Sequence, residues 1–137
     1  MRPTVFVDTS FLVALLDPKD ALNHGALGLT REFDRRKIKL LSTDAVLIEF
    51  ANYFSRGPLR SKAIVWIGRV RTNKEWEIVR LEPALVTLGE RRYRKHRDKS
   101  WSLTDCISME VMRQRKMTEV ASADHDFEQG GFRILLS

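Results

Sequence analysis

Four acidic residues are spaced along this chain so that one folded arrangement could bring them together: Asp8, Glu49, Asp105 and Asp124. Asp8 interrupts the apolar stretch VFVDTSFLVALLD at 5–17, where a buried carboxylate is costly unless it is neutralised or meets a cation. Asp8 and Asp124 each follow a short β-rich run, and ligands of open parallel sheets bind beyond the carboxyl ends of the strands. Mg²⁺ and Mn²⁺ prefer oxygen ligands. Together, the four acids predict a site for a hard divalent cation.

Each acid also has a purely structural interpretation. Asp8 could cap the helix that follows it, since Asp is a favoured cap. Asp105 follows Ser102 at capping-box spacing and would lie in the positive first turn of a helix. An Asx-turn would account for Asp124, and Asp126 competes with it for any role.

Glu49 lies in an almost wholly apolar predicted helix. Its neighbours at helical spacing are Asn52 and Arg56, and the three make a narrow polar stripe that could face solvent. Alternatively, Glu49 lines a pocket and Asn52 orients it. Two carboxylates about 5 Å apart repel by about 3 kcal/mol at an effective dielectric constant of about 20. A cluster of such groups is therefore more readily explained as a cation site than as an empty one.

The elements that must position these acids alternate between short β-rich runs and longer helical runs. Strands are predicted at 4–7, 38–41, 77–80, 119–121 and 132–136. Helices are predicted at 10–16, 21–36, 43–56, 59–71, 102–116 and from Pro83 to about His96. This alternation predicts a single domain over 1–137, an α/β/α sandwich with three layers and a mostly parallel five-stranded sheet. The segment 122–131 is short for a crossover, which leaves the geometry of the last strand open.

The composition is that of an ordinary globular domain, 43% hydrophobic and 31% charged, with a net charge of +6 that favours polyanionic partners. Cys106 is the single cysteine, which excludes an intrachain disulfide and a cysteine-based metal cluster, and the histidines lack zinc-site spacing. The first apolar stretch is split by Asp8 and no run is long enough to span a bilayer, so we expect a cytoplasmic protein without membrane contact.

Four stretches of the chain carry a resemblance to a known family. They are VFVDTSFLVAL at 5–15, STDAVLIEFAN at 42–52, WSLTDCISMEVM at 101–112 and VASADHDFEQGGFRIL at 120–135. With them the chain resembles a PIN domain, and in size and motif layout it is similar to the VapC-type ribonuclease toxins. The stretches span nearly the whole chain, and four in register are more specific than any one alone.

The resemblance implies roles for individual residues. Asp8, Glu49, Asp105 and Asp124 match the family's acidic metal-binding set, and Asp126 leaves the fourth position open, although Asp124 lies nearer the strand end. The supporting positions it implies are Ser10 and Thr104, as hydroxyls expected to hydrogen-bond the carboxylates, and Asn52, as a polar neighbour of the glutamate.

The resemblance also implies an activity. Family members bind Mg²⁺ or Mn²⁺, cut RNA phosphodiesters, and many pair with an antitoxin that inserts a peptide near the acidic site. We therefore expect a metal-dependent endoribonuclease, the toxin of a toxin–antitoxin pair. The alternatives are a DNA-directed nuclease and a catalytically silent PIN-like module that binds RNA or protein, although a silent binder of phosphates would gain by losing the acids.

Two unrelated classes with similar sheets fit the residues less well. A haloacid-dehalogenase phosphatase needs a second Asp where this chain has Ser10. A phosphorylatable receiver module places its acceptor Asp after the third strand, where this chain has Arg80-Leu81-Glu82.

A basic segment, ERRYRKHRDK at 90–99, carries six basic residues against Glu90 and Asp98, a local net charge of +4. We expect Arg91, Arg92 and Arg94 to contact RNA phosphates and Tyr93 to stack on a base. A solvated helix face is the alternative.

The predicted helices on either side of Gly57-Pro58 carry more apolar side chains than one core contact needs. These side chains are Phe50, Tyr53, Phe54, Ile64, Val65, Trp66 and Ile67. They predict a homodimer face or an antitoxin groove. Trp101 and Cys106 are interpreted as packing residues.

Overall fold

A computed structural model of the chain describes residues 2–137 and contains five short strands in one sheet. The strands are β1 (Thr4–Val7), β2 (Lys39–Thr43), β3 (Trp76–Val79), β4 (Glu119–Ala121) and β5 (Arg133–Ile134). They lie in the order β3-β2-β1-β4-β5, and every neighbouring pair is parallel. The expected five-stranded sheet is confirmed, and it is parallel throughout.

Within residues 2–137, seven helices connect the strands and cover the sheet. They are α1 (Thr9–Leu16), α2 (Asn23–Arg35), α3 (Asp44–Tyr53), α4 (Arg60–Thr72), α5 (Pro83–Lys95), α6 (Leu103–Gln114) and α7 (Asp126–Gln129). The chain runs outward from β1 to β3 and then returns to β4 and β5, so right-handed crossovers place α1–α4 on one face and α5–α7 on the other. The three-layer α/β/α sandwich is thereby confirmed. Among residues 2–137, no helix combines the length and the apolar character needed to cross a membrane.

The central strand β1 positions the first of the candidate site residues, Asp8. Its residues Val5, Phe6 and Val7 are buried, as expected for a strand with helices against both faces. The strand order reverses between β1 and β4, and in open parallel sheets a crevice forms at such a switch point, outside the carboxyl ends of the strands. Asp8 is the first residue beyond β1 at that edge.

Helix α6 is held tightly against α5. A Cβ atom on Gly89 would lie 2.5 Å from Ile107 Cγ1, so only glycine allows this approach of the two helices. On the next turn, the buried Glu110 accepts a 2.7 Å hydrogen bond from Arg92 Nε. These contacts fix α6, and with it the position of Asp105.

The observed boundaries depart from the expected ones where side chains form turns. Helix α2 begins at Asn23 instead of residue 21, because the carboxylates of Asp17 and Asp20 each accept a hydrogen bond from the backbone N–H two residues on. Thr43 belongs to β2 and caps α3, where its hydroxyl accepts a 3.2 Å hydrogen bond from Val46 N.

The connection between β4 and β5 differs most from expectation. The short helix α7 was not predicted, and β5 is confined to residues 133–134 instead of 132–136. Asp124 Oδ1 accepts a 2.9 Å hydrogen bond from Asp126 N at the start of α7, and the fully buried Phe127 anchors the helix to the core. A single helical turn therefore suffices to join two parallel strands here.

Candidate metal centre

A cleft of about 700 Å³ opens at the switch point of the sheet, and Asp8, Glu49, Asp105 and Asp124 all line it. Asp8 directly follows β1, Asp124 lies three residues beyond β4, Glu49 projects from α3 and Asp105 from the first turn of α6. The fold thus brings together the four acids that the sequence singles out, although they come from four different parts of the chain.

Asp8 is both a helix cap and a wall of the cleft. Its backbone is extended, and its Oδ2 atom accepts hydrogen bonds from Ser10 N (3.5 Å), Ser10 Oγ (3.1 Å) and Ser122 Oγ (2.9 Å). The side chain is buried, and burial raises the pKa of this carboxyl from its usual value, with a smaller contribution from the charge of Glu49. The hydrogen bonds from Ser122 and Ser10 oppose this rise.

Asp105, like Asp8, both caps a helix and lines the cleft. Ser102 Oγ accepts a 3.0 Å hydrogen bond from Asp105 N, and Asp105 Oδ2 accepts a 3.1 Å hydrogen bond from Ser102 N, which completes a capping box. Burial, followed by repulsion from Asp8, raises the pKa of Asp105 to about 7, and Asp124 adds to the rise. A carboxyl with this pKa has an environment that disfavours its charge in the absence of a cation.

Asp124 and Asp126 lie side by side near Asp105. One carboxylate oxygen from each of the three lies within 4.8 Å of the other two. Burial and the neighbouring Asp124 raise the pKa of Asp126. Asp124 lines the cleft together with the other three acids, whereas Asp126, at the start of α7, does not line it but belongs to the same cluster of carboxylates.

Glu49 and Asn52 both line the cleft from one side of α3, so these two members of the predicted polar stripe face the site. Arg56, the third member, lies beyond the end of α3 and does not line the cleft. Tyr53 and Asp20 also line it, and the sequence did not single out Asp20. Asp20 Oδ1 accepts a 2.8 Å hydrogen bond from Leu22 N, which gives this residue a local structural role at the rim.

Hydroxyl groups hold the acids in place, and they are not entirely the expected ones. Ser10 Oγ contacts the Asp8 carboxylate as anticipated, whereas the Asp105 carboxylate accepts its hydrogen bond from the backbone N–H of Ser102, whose hydroxyl accepts one from Asp105 N. Thr104, the hydroxyl expected there, lies half-buried in the first turn of α6. Ser122, which is fully buried, was missed. Its hydroxyl bonds Asp8 Oδ2 and accepts a 3.0 Å hydrogen bond from Asp124 N, so it links two of the four acids.

The donor set fits a hard divalent cation. Among residues 2–137, no Lys or Arg forms an ion pair with Asp8, Glu49, Asp105, Asp124 or Asp126, and the ion pairs that do form join basic residues to other acids. Oxygen ligands at this spacing suit Mg²⁺ or Mn²⁺, and the single thiol, Cys106, is buried. Burial also raises the pKa of Cys106 to about 11, which keeps the thiol neutral and unsuited to binding metal.

The basic segment 90–99 divides into two groups of side chains. Arg92 is mostly buried and pairs with Glu110, so its charge is compensated inside the fold. Arg91 and Arg94 are exposed, and the Tyr93 ring is 54% exposed. Arg92 was expected to contact RNA, but its guanidinium group is already paired with Glu110, whereas Arg91 and Arg94 remain exposed. Trp101 and Cys106 are both buried, as packing residues would be.

The fold and the acidic cleft define an α/β/α domain of the PIN type. The sequence matches the family model described as PIN domain over residues 5–132, and the chain belongs to this family. A comparison with curated proteins finds no match.

Several solved structures share the fold. The crystal structure of Mycobacterium tuberculosis VapC20, described as a sarcin–ricin loop cleaving toxin, has a TM-score of 0.83 at 23% identity and covers 97% of this chain and 99% of that chain. DNA-bound VapBC from Salmonella typhimurium matches at a TM-score of 0.66, 12% identity and 98% of both chains. FitAcB from Neisseria gonorrhoeae matches at a TM-score of 0.65, 13% identity and 96% of both chains. Because the sequence identities are 23% or lower, these comparisons show a shared fold.

Proposed function

We propose that this protein is a Mg²⁺- or Mn²⁺-dependent endoribonuclease and the toxin of a toxin–antitoxin pair. The observation that carries the proposal is the meeting of Asp8, Glu49, Asp105 and Asp124 in one cleft without a compensating Lys or Arg among residues 2–137. Carboxylates in such numbers repel a phosphate unless a cation joins them, so binding of polyanion alone does not account for the arrangement.

The residues of the chain have distinct tasks in this proposal. Asp8, Glu49, Asp105 and Asp124 would hold the cation, and Ser10, Ser102 and Ser122 fix the orientation of Asp8 and Asp105. Asn52 and Tyr53 line the rim where the RNA strand would enter. When bound, a divalent cation supplies Lewis-acid activation of a water molecule and neutralises charge on the phosphate.

The test is cleavage of labelled RNA by wild type and by Asp8→Asn, each with Mg²⁺, with Mn²⁺ and with EDTA. Two substrates serve, an unstructured RNA and a sarcin–ricin-type hairpin, the second because a protein of the same fold is described as cutting that loop. The matched control is Asp20→Asn, which removes one charge from the same cleft and keeps an oxygen for Leu22 N. The proposal requires that EDTA and Asp8→Asn abolish cleavage and that Asp20→Asn does not.

The same assay separates the alternatives. Cleavage of DNA and not of RNA would show a DNA-directed nuclease. No cleavage, together with no Asp8-dependent uptake of divalent cation in titration calorimetry, would show a silent binding module.

The partner is proposed from an exposed apolar surface, the α3–α4 patch. Ile48, Tyr53, Ile64 and Val65 on these two helices are each between 54% and 62% exposed, while Phe50, Phe54 and Ile67 of the same helices are buried. Tyr53 belongs both to the patch and to the cleft rim, so a protein that covers the patch would reach the site. We assign the patch to a second copy of the chain or to an antitoxin. Light scattering of the chain alone and with its neighbour-encoded protein, repeated with Ile64→Lys, distinguishes the two.

A further inference from the structure

A second concave site lies beside the acidic cleft, at the start of α6. It has a volume of about 320 Å³, and we name it the Trp101 pocket after its lining residues Tyr93, His96, Arg97, Lys99, Trp101 and Cys106. Ser102 directly follows Trp101 and Asp105 directly precedes Cys106, and both Ser102 and Asp105 line the acidic cleft. Adjacent residues at the start of α6 therefore line the two sites.

The pocket has a rigid aromatic wall. The rings of His96 and Trp101 pack with their centroids 4.8 Å apart, and Trp101 is 6% exposed. Trp101 Nε1 donates a 3.2 Å hydrogen bond to Gln129 Oε1, which fixes the indole. The Tyr93 ring is exposed to solvent and is available for stacking.

The pocket is cationic, in contrast to the acidic cleft next to it. Arg97 is exposed and forms no ion pair with residues 2–137. Lys99 lies 3.7 Å from Asp98 in a solvent-exposed pair, a contact that contributes little and leaves the ammonium group able to bind elsewhere. Cys106 lies at the floor as a neutral thiol. A strand whose scissile phosphate enters the acidic cleft would thus find uncompensated positive charge in the neighbouring pocket.

We propose that the Trp101 pocket binds an unpaired nucleotide of the RNA strand next to the cleavage site, with Tyr93 stacking on the base and Arg97 and Lys99 contacting its phosphate. Its volume lies at the lower end of the range for small-molecule pockets, about 300–1,000 Å³, which suits one nucleotide. Aromatic faces beside cations are the chemistry by which proteins hold single strands. The choice of RNA rests on the proposed function. The sequence predicted phosphate contacts for Arg91, Arg92 and Arg94. We assign Arg97 and Lys99 instead because these two line the pocket, whereas Arg92 is paired with Glu110.

The test measures binding separately from cleavage. A short fluorescein-labelled unstructured RNA is titrated by fluorescence anisotropy, with Mg²⁺, against Asp8→Asn protein, in which cleavage is not expected. Adding Tyr93→Ala should weaken binding at least about fivefold, and Tyr93→Phe, which keeps the ring, should bind within about twofold of the parent. Tyr93 is exposed, so neither change should disturb the fold, which circular dichroism can verify.

A charge-matched pair of variants tests the phosphate contacts. Arg97→Gln with Lys99→Gln should make the slope of log affinity against log salt less steep by about 1.4, the value for two single-strand phosphate contacts. Arg69→Gln with Lys74→Gln removes the same charge at exposed positions on the far side of the domain and should leave the slope unchanged.

The outcomes are distinguishable from those of the proposed function. Loss of binding in the pocket variants supports the pocket even if wild type cuts nothing, which would remove only the nuclease. Equal binding by pocket and control variants overturns the pocket even if wild type cuts RNA well. Failure to bind RNA at all, or equal losses with a DNA strand of the same sequence, overturns the assignment to RNA.

Discussion

Ser122 donates a 2.9 Å hydrogen bond to Asp8 Oδ2 across the junction between β4 and β1. The parallel register pairs Val7 with Ala121, so the next residue on each strand faces the other at the carboxyl edge of the sheet. Ser10 Oγ lies 3.1 Å from Ser122 Oγ and contacts the same Asp8 oxygen. Asp8 is thus oriented by the two innermost strands and by the start of α1.

Replacing Ser122 with Ala should weaken cation binding. The variant removes the strongest hydrogen bond that opposes the raised pKa of Asp8 and frees the carboxylate to rotate. Loss of a group that orients a ligand typically costs about 10- to 100-fold in metal affinity or activity. Titration calorimetry with Mn²⁺ and the RNA cleavage assay measure both. Ser108→Ala is the matched control, because the Ser108 hydroxyl is buried without a hydrogen-bond partner among residues 2–137. Equal effects of the two variants would show that Ser122 acts only through packing.

The pH dependence of stability should carry a signature of Asp105. Its pKa is about 7 in the folded protein and 3.8 in the unfolded reference, so between these values the folded state holds a proton that the unfolded chain has released. Stability must therefore fall as the pH rises through this range and level off above about pH 7. In EDTA, the free energy of unfolding of wild type minus that of Asp105→Asn should follow this curve in urea titrations. A difference that rises with pH would contradict it.

Cation binding should reverse that loss. Because protons compete with the cation for the carboxylates, Mg²⁺ should raise the melting temperature more at about pH 8 than at about pH 5. The Asp8→Asn variant should show a smaller rise at both values. A melting temperature that does not respond to Mg²⁺ or Mn²⁺ at either pH would count against the metal centre.

The strands, and the placement of Asp8 and Asp124 at one edge of the sheet, could be predicted because both depend on local patterns. Short apolar runs bounded by turn residues define strands, and parallel strands place whatever follows them at one edge. Helix α7 could not be predicted in this way, since a four-residue helix is too short to show a periodic pattern. It depends on the hydrogen bond that Asp124 Oδ1 accepts from Asp126 N and on the burial of Phe127 in the assembled core.

The supporting residues of the site depend on contacts between distant segments. Ser122 looks like an ordinary turn residue after a strand, and its role appears only once β4 lies beside β1. Similarly, nothing local separates Arg92 from Arg91 and Arg94. Glu110, a residue of the next helix, forms an ion pair with Arg92, so the charge of Arg92 is no longer available to a ligand.

Asp124→Asn should lower Mn²⁺ affinity more than Asp126→Asn, by about tenfold or more for Asp124. Asp124 lines the cleft with Asp8 and Asp105, while Asp126 does not line it, although one of its carboxylate oxygens lies within 4.8 Å of those of Asp105 and Asp124. Both variants keep a side-chain oxygen, and Asn at 124 can still accept the hydrogen bond from the backbone N–H of Asp126. Calorimetry on the two proteins compares them directly. The reverse order of affinities would make Asp126 the fourth ligand.

Arg92→Gln should act on stability and not on RNA affinity. Arg92 and Glu110 are 17% and 8% exposed, and removing the arginine leaves a mostly buried carboxylate with only the more exposed Arg113 as a partner. We expect a loss of roughly 2–3 kcal/mol in the free energy of unfolding, somewhat below the cost of leaving a buried charge without any partner. Arg91→Gln, on the exposed side of the same helix turn, should change stability by less than about 0.5 kcal/mol. Urea unfolding and RNA titration of both variants separate the two effects. If Arg92→Gln instead weakened RNA binding while leaving stability intact, its ion pair with Glu110 would be secondary to a contact with the RNA.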